Sequence, residues 1–306
     1  IVVEQLGYVG DPTPFLATTT QFAAVVAACG DAAQRRRFLG AVAADATPGT
    51  LVLAGPDGRW DPSSPAVTAT RRGDGWALEG TAAFVVDGDR ANELAVLART
   101  DAGPQVFVVP ADAVSARRTP SLDGALHGAA VTSDGAAVDD DRRLAGDDPL
   151  AGFGRALDEA VAGLAMLMVG ACQRGLDLVI EYVRGREQFG VPIGSFQAVK
   201  HQVVDMHVAI ERARALGYFA ALTIAEDDPR RTTAASMARA AAGEAQHLVF
   251  QHAIQLFGGI GFTWENDLHL YLRRAKAGEL LFGGAADHRA RIGRQVMAAS
   301  RRAKEA

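Results

Sequence analysis

The chain has 306 residues, 49% of them hydrophobic, and a formal net charge of -5. That is enough sequence for a sizeable core, and the mixed charge gives no electrostatic footing for nucleic acid. The short basic runs Gln34–Phe38 and Ser300–Ala306 read as solvated helix faces. No stretch of membrane-spanning length is free of charge. The two cysteines, Cys29 and Cys172, lie in Ala-rich helical contexts without metal spacing or a disulfide framework, which fits a reducing cytoplasm.

The opening IVVEQLGYVG lacks a basic segment and a cleavage site, so it does not read as a signal peptide. Val2–Leu6 looks like the interior of an amphipathic helix, and with no initiator Met the expectation is that further helical sequence precedes it. Residues 1–45 read as a helical domain, with a cap at Thr20 and a break at Gly30–Asp31 where a second helix starts. Residues 46–147 change to short β-rich runs separated by Gly and Asp. Arg71–Trp76 (RRGDGW) reads as a hairpin turn, with Trp76 in or beside a strand, and the spacing predicts an antiparallel sandwich or barrel. Residues 148–306 return to helix: Leu157–Gly185, Phe196 to about Glu226, Thr232 to about Phe257, and Asn266–Leu281. Val199, Val203, Met206 and Ile210 share one face of the second of these. Thr263–Asp267 reads as the cap of the last. The fold class is α+β: a helical part, a central antiparallel β domain and a C-terminal four-helix bundle.

Two inter-helix stretches carry chemistry. REQFGVPIGSFQAVKH (Arg186–His201) joins a cation, an aromatic and a Gly-Val-Pro turn. QLFGGIGFTWENDLHLYLRR (Gln255–Arg274) holds Gly258, Gly259 and Gly261 within four positions. Such a turn admits close backbone approach and can present N–H groups to an anion such as a pyrophosphate. Either stretch alone is also what a tight turn looks like. His201, His207, His247 and His252 fall on bundle helices and read as packing or surface residues. His288, as a local base, has nothing in sequence to position it.

These two stretches, together with GWALEGTAAFVVDGDRANELAVLART in the β region, resemble the acyl-CoA dehydrogenases over nearly the whole chain. The resemblance implies FAD at a dimer interface. One chain would hold the flavin ring, and its neighbour would grip the ADP half. Here the second role falls on Arg186, Glu187, Gln188 and Phe189, on Phe196 and Gln197, and on Gln255 through Gly258 and Gly259. It also implies α,β-dehydrogenation of an acyl-CoA. A glutamate takes the α-proton while the β-hydride moves to flavin N5, and electrons usually pass on to an electron-transfer flavoprotein.

At the position of that glutamate the chain has Gly283, in Phe282-Gly283-Gly284-Ala285. Where other members carry the base on the first bundle helix, it has Ala160, flanked by Asp158 and Glu159. Glu159 is a weak alternative, turned about 100° from that place. Both acids also suit a helix N-terminus. A position where the family often has a substrate-contacting Arg holds Val161. The flavin-facing loop is Ala54-Gly55-Pro56, without the usual hydroxyl and carboxylate. The residues for its own flavin ring and substrate are thus eroded, and those lent to a neighbour are kept. The expectation is a helper subunit in a heterotetramer with a second acyl-CoA dehydrogenase-like chain, acting on a bulky acyl-CoA such as that of a sterol side chain. The alternatives are a self-sufficient homomeric enzyme using Glu159, and a flavin-free structural paralogue.

Overall fold

The computed structural model describes residues 1–45 and 47–305, with side chains omitted at 45, 299 and 302–305. The expected boundary at 45/46 and most of the basic run Ser300–Ala306 therefore lie outside the described side chains. The chain forms two compact units, one of Ile1–Asp11 with Val161–Ala306 and one of Pro12–Ala160.

The second unit begins with helical turns. α1 (Val2–Val9) belongs to the other unit, and α2 (Phe15–Ala17) leads through a π turn, Thr18–Ala23, into α3 (Ala24–Cys29). Thr20 does not cap a helix. Its hydroxyl donates to the Leu16 carbonyl at 2.7 Å, and that of Thr19 donates to Phe15 at 2.6 Å. A threonine bonding back one turn in this way loosens the helix. The break at Gly30–Asp31 is present. Asp31 Oδ1 accepts the N–H groups of Ala33 and Gln34, both at 2.8 Å, and Gln34 Oε1 accepts the Asp31 N–H in return at 3.1 Å. This reciprocal capping box starts α4 (Ala32–Asp45). Gln34, 7% exposed, also donates to the carbonyls of Asp141 and Arg143, tying the helix to the end of the sheet.

The strands are β1 (Gly49–Val52), β2 (Val67–Arg72), β3 (Gly75–Val86), β4 (Glu93–Thr100), β5 (Gly103–Pro110), β6 (Ser115–Thr119) and β7 (Gly128–Asp139). β2 and β3 are the hairpin read at RRGDGW, with Arg72 opposite Gly75 and Arg71 opposite Trp76. The sheet is not wholly antiparallel. β1 and β2 each pair β4 in parallel along its two halves, while β5 covers the other edge of β4. The 53–66 connection is too long for a hairpin, so β1 and β2 do not pair each other. All seven strands form one hydrogen-bonded sheet. Its core is Val, Leu and Ala alternating inward, with Trp76 edge-on to Phe107 at 5.4 Å.

α5 (Pro149–Gly185) begins in the Pro12–Ala160 unit and ends in the other, where it is followed by a hairpin, β8 (Glu187–Gln188) and β9 (Val191–Pro192), then α6 (Gln197–Ala225), α7 (Arg231–Phe257), α8 (Leu268–Leu280) and α9 (Ala285–Glu305). α5 starts eight residues before its expected start. Pro149 occupies its first turn, and Asp148 Oδ1 accepts the Ala151 N–H at 3.0 Å. An 18-residue window of α5 is long and apolar enough to cross a bilayer by composition, but 67% of that window is buried, as the central helix of a bundle requires. On α6, Met206 and Ile210 are wholly buried, and Val199 and Val203 pack against the same cluster. α9 is a fifth helix beyond the four read from sequence. Asn266 Oδ1 accepts the Leu268 N–H at 2.8 Å at the start of α8, where Thr263–Asp267 was expected to cap.

Candidate cofactor site

β8 and β9 pair Glu187 with Pro192 and Gln188 with Val191. The two residues at their tip, Phe189 and Gly190, have φ of 54° and 79°, as a tight hairpin turn demands. Glycine takes this readily, whereas for phenylalanine it costs roughly 1–2 kcal/mol. The result is a Phe189 ring that is 93% exposed, edge-on to Phe196 at 6.2 Å. An aromatic held out of the chain in a strained turn is placed to stack on something else.

Tyr182 stacks on Phe257 with ring centroids 4.5 Å apart. It lies one turn before Arg186, and Phe257 immediately precedes Gly258. This contact puts both motif loops at one end of the unit. Gly258 has φ 63° and ψ -139°, a conformation only glycine adopts easily. A Cβ added at Gly258 or Gly259 would meet nothing within 4 Å, so the space beside this turn is outside the chain's own packing. The Arg186 N–H donates to Tyr182, and its carbonyl accepts from Ile193, both at 2.8 Å. Its guanidinium is exposed and makes no ion pair among the described residues. Gln197 and Gln255 are exposed nearby in sequence, and the Gln188 amide donates to the Glu187 carbonyl at 2.7 Å. A free guanidinium, a presented aromatic, amide donors and an open glycine backbone suit a pyrophosphate joined to a planar base. The residues present therefore fit the ADP half of FAD.

The turn at the base position is built differently. Phe282 and Gly283 have φ of 54° and 88°. Buried polar side chains hold this turn. Arg239, wholly buried on α7, donates to the carbonyls of Gly278 at 2.7 Å and Leu281 at 3.0 Å. His288 Nε2 lies 3.0 Å from the Phe282 carbonyl, and the Gly284 N–H donates to Asp287 Oδ2 at 2.9 Å. Burial, and then the Arg239 charge, push His288 down to about 4. His288 is thus positioned, but as a neutral ring donating to backbone, which corrects the expectation that nothing holds it. Arg239 was not read from sequence. Its only signal is a lone charge within the small-residue run SMARAAAG.

In the Pro12–Ala160 unit, Asp158 and Ala160 are buried and Glu159 is half-buried. Burial raises the Glu159 carboxyl, partly opposed by Arg155 one turn away. The Ala54–Gly58 loop is tied to β3, with the Ala83 N–H donating to the Ala54 carbonyl at 3.0 Å. A bulge in β3 then throws Phe84 outward with φ 56° and 47% exposure, its ring 3.4 Å from where a Gly58 Cβ would lie. Sequence reading passed over Phe84. The only hint is a break in strand alternation at Ala83–Phe84.

Residues 153–297 match the model of the acyl-CoA dehydrogenase C-terminal domain. Over 97% of this chain and 79% of the other, the fold superposes on the ChsE4-ChsE5 complex from Mycobacterium tuberculosis with TM-score 0.87 and 30% identity. A solved variant of the Tcur3481-Tcur3483 steroid ACAD is 32% identical over 98% of this chain and 80% of that one, with TM-score 0.87. The chain belongs to the acyl-CoA dehydrogenase family. FAD is the cofactor this membership brings. Acyl-CoA dehydrogenase IpdE2 of Mycobacterium tuberculosis is 44% identical over 46% of this chain and 44% of its own length. The chain spans less than two thirds of the length of the first three curated relatives.

Proposed function

We propose that this acyl-CoA dehydrogenase chain is a subunit that lends the ADP-gripping half of an FAD site to a partner chain carrying the catalytic glutamate. The observation that carries this reading is the exposed end of the bundle, where Phe189, Arg186 and the Gly258 turn face away from the chain's own packing. Bound FAD would supply hydride acceptance for α,β-dehydrogenation of an acyl-CoA. Arg186 would bind the pyrophosphate, Phe189 and Phe196 would flank the adenine, and Gln188, Gln197, Gln255, Gly258 and Gly259 would complete the grip. Gly283 offers no side chain to take a proton, so the isolated chain is expected to be inactive. Likeness to a solved steroid ACAD and to the ChsE4-ChsE5 complex supports a heterotetramer acting on a bulky, sterol side-chain type of acyl-CoA. The electron acceptor would be an electron-transfer flavoprotein and the compartment the cytoplasm, where the buried thiols Cys29 and Cys172 stay reduced.

Titration of FAD into the chain co-purified with its partner tests this. Arg186→Ala should weaken flavin binding by about one to two orders of magnitude, the worth of a charge-assisted contact. Lys should restore it only in part. Unchanged affinity with a lowered melting temperature would leave Arg186 with only a helix-end role.

A second reading, a homomeric enzyme with Glu159 as base, is favoured by two observations. Its carboxyl is raised by burial, as a base working near neutrality needs, and Phe84 is presented beside the 54–58 loop. Turnover by the pure chain, abolished in Glu159→Gln, would establish it.

A further inference from the structure

The chain passes from one unit into the other at Asp11–Pro12 and returns at Ala160–Val161, inside α5. At the first passage each carbonyl is held by an arginine of its own unit. Arg274 on α8, 4% exposed, donates to the Asp11 carbonyl at 2.7 Å. Arg90, on the turn between β3 and β4, donates to the Pro12 carbonyl at 3.1 Å. The Arg90 hold has a titratable ring behind it. The other terminal nitrogen of Arg90 meets His127 Nε2, and His127 Nδ1 lies 3.2 Å from Asp89 Oδ2. A guanidinium only donates and a carboxylate only accepts. The ring proton is therefore on Nδ1, and the Nε2 lone pair faces Arg90, so this arrangement requires a neutral His127. The other charges nearby are few. On the β3–β4 turn Asp87 Oδ1 is 3.9 Å from Arg90 Nη1, and the Asp87 N–H donates to the His127 carbonyl at 2.8 Å. On the loop before β7, Asp123 Oδ1 accepts the Ala125 N–H at 3.0 Å, and Arg118 of β6 donates to the Gly124 carbonyl at 3.2 Å.

From this we infer that Asp89, His127 and Arg90 form a pH-operated latch on Pro12, closed while the ring is neutral and open once it is protonated. A proton on Nε2 takes away the acceptor that Arg90 uses and sets an imidazolium against a guanidinium. Asp89 is already bonded to Nδ1 and stabilises the imidazolium where it stands. Arg90 is the side chain that yields, because it is long and 38% exposed and can turn to water. Leaving His127, it also leaves the Pro12 carbonyl, and the segment that leads into α2 loses its anchor. The His127 and Asp89 side chains are 11% and 17% exposed, enough for protons to reach the ring. Imidazole is the ordinary side chain that changes charge between pH 5 and 8, so the latch works in that window. The Arg274 hold contains no group that titrates there. The inference uses no residue of the flavin grip and stands independently of that reading.

Amide hydrogen exchange read by mass spectrometry tests the latch on the purified protein in the assembly in which it is isolated. Exchange is measured from pH 8 to pH 5, with the intrinsic pH dependence of the chemistry divided out. The reporter is Thr13–Thr18, where the Thr18 N–H is bonded to the Pro14 carbonyl at 2.9 Å. Loss of one charge-assisted bond should raise exchange there by at least about tenfold on acidification, while β4 stays protected throughout. His127→Gln offers Arg90 an amide oxygen that cannot titrate, and should exchange slowly at every pH. Arg90→Ala should exchange fast at every pH. His288→Gln, which silences the buried ring of the other unit, should leave the step in place. The midpoint of the step should coincide with the titration of the carbon-bound His127 ring protons in NMR, assigned by their loss in His127→Gln. No step in the wild type, a step that survives in His127→Gln, or slow exchange in Arg90→Ala would each overturn the inference. So would a midpoint that differs from that of the His127 ring, or a rise shared with β4, which would mean that acid unfolds the unit as a whole.

Discussion

Acidification should destabilise this protein through one histidine, and the size of the effect follows from its surroundings. His288 is 3% exposed, Nε2 is bonded to the Phe282 carbonyl, and Nδ1 has no partner among the described residues. Burial lowers it most. The charges of Arg239 on α7 and Arg291 on its own helix add to this, while Asp287 and the carbonyl oppose, leaving it at about 4 against an ordinary 6.5. The folded value is depressed. The stability gained by keeping the ring neutral is therefore complete above pH 6.5, falls below it, and is gone once the pH passes the folded value. Between about pH 7 and pH 5 the loss is about 2 kcal/mol, most of it before carboxylates begin to protonate. His288→Gln keeps a donor for the carbonyl but cannot titrate. Urea unfolding followed by circular dichroism at several pH values should show wild type losing about 2 kcal/mol more than the variant over that range. Parallel curves would refute the argument and mean that the ring is accessible to protons in the native state.

Arg239→Met removes the buried cation that donates to two carbonyls, leaving Leu281 without that donor and Gly278 with only the Leu281 N–H. It should cost about 3–5 kcal/mol, seen in calorimetry as a fall of roughly 6–20 °C for a unit of this size; a shift under about 2 °C would show that the carbonyls find other donors. Gly283→Glu should give no dehydrogenase activity in the isolated chain, because φ of 88° strains any L side chain there and the turn is clamped by Arg239 and His288. Measurable acyl-CoA turnover by that variant would contradict this. Gly170→Ala should destabilise by about 1–3 kcal/mol, since its Cβ would lie 1.9 Å from the Glu4 carbonyl oxygen, a backbone atom that can yield only if α1 moves away. Protease susceptibility of the first ten residues reports that movement.

What sequence could show was mostly local. RRGDGW read as a hairpin because Gly73 supplies a positive φ between two β-rich runs, and the register is as short as that turn requires. The break at Gly30–Asp31 announced a helix start, while the part Gln34 plays in its capping box was seen only in the fold. Thr20 misled because a hydroxyl that bonds back to Leu16 and one that caps a helix look alike in a string. The early start of α5 was in fact signalled, by Asp148-Pro149, and only the long periodic stretch after it drew the boundary later. The parallel pairings of β4 were out of reach, since they join strands separated by whole elements. The motif loops were legible through their composition, but the Tyr182–Phe257 stack that sets them at one end spans 75 residues. Arg239 was hidden for the same reason, its partners lying 39 and 42 residues along the chain.

The first helix carries a consequence for how the chain comes to be folded. Gly7 on α1 sits against the Leu167 carbonyl, Gly170 on α5 sits against that of Glu4, and Glu4, 6% exposed, accepts from Arg214 at 2.7 Å and Tyr218 at 3.0 Å. The Pro12–Ala160 unit is one uninterrupted stretch, so it can close while translation is still under way. α1 cannot. Its ion pair partner is 210 residues downstream, which at a synthesis rate of roughly 5–20 residues per second is about 10–40 s of waiting. Throughout that interval the Val2–Val9 stretch waits with Glu4 and Gly7, both buried once the chain is folded, lacking the groups that cover them. The vulnerable species in the life of this protein is then the nascent chain, and a chaperone that sequesters α1 until α6 emerges would raise its yield without touching the folded state.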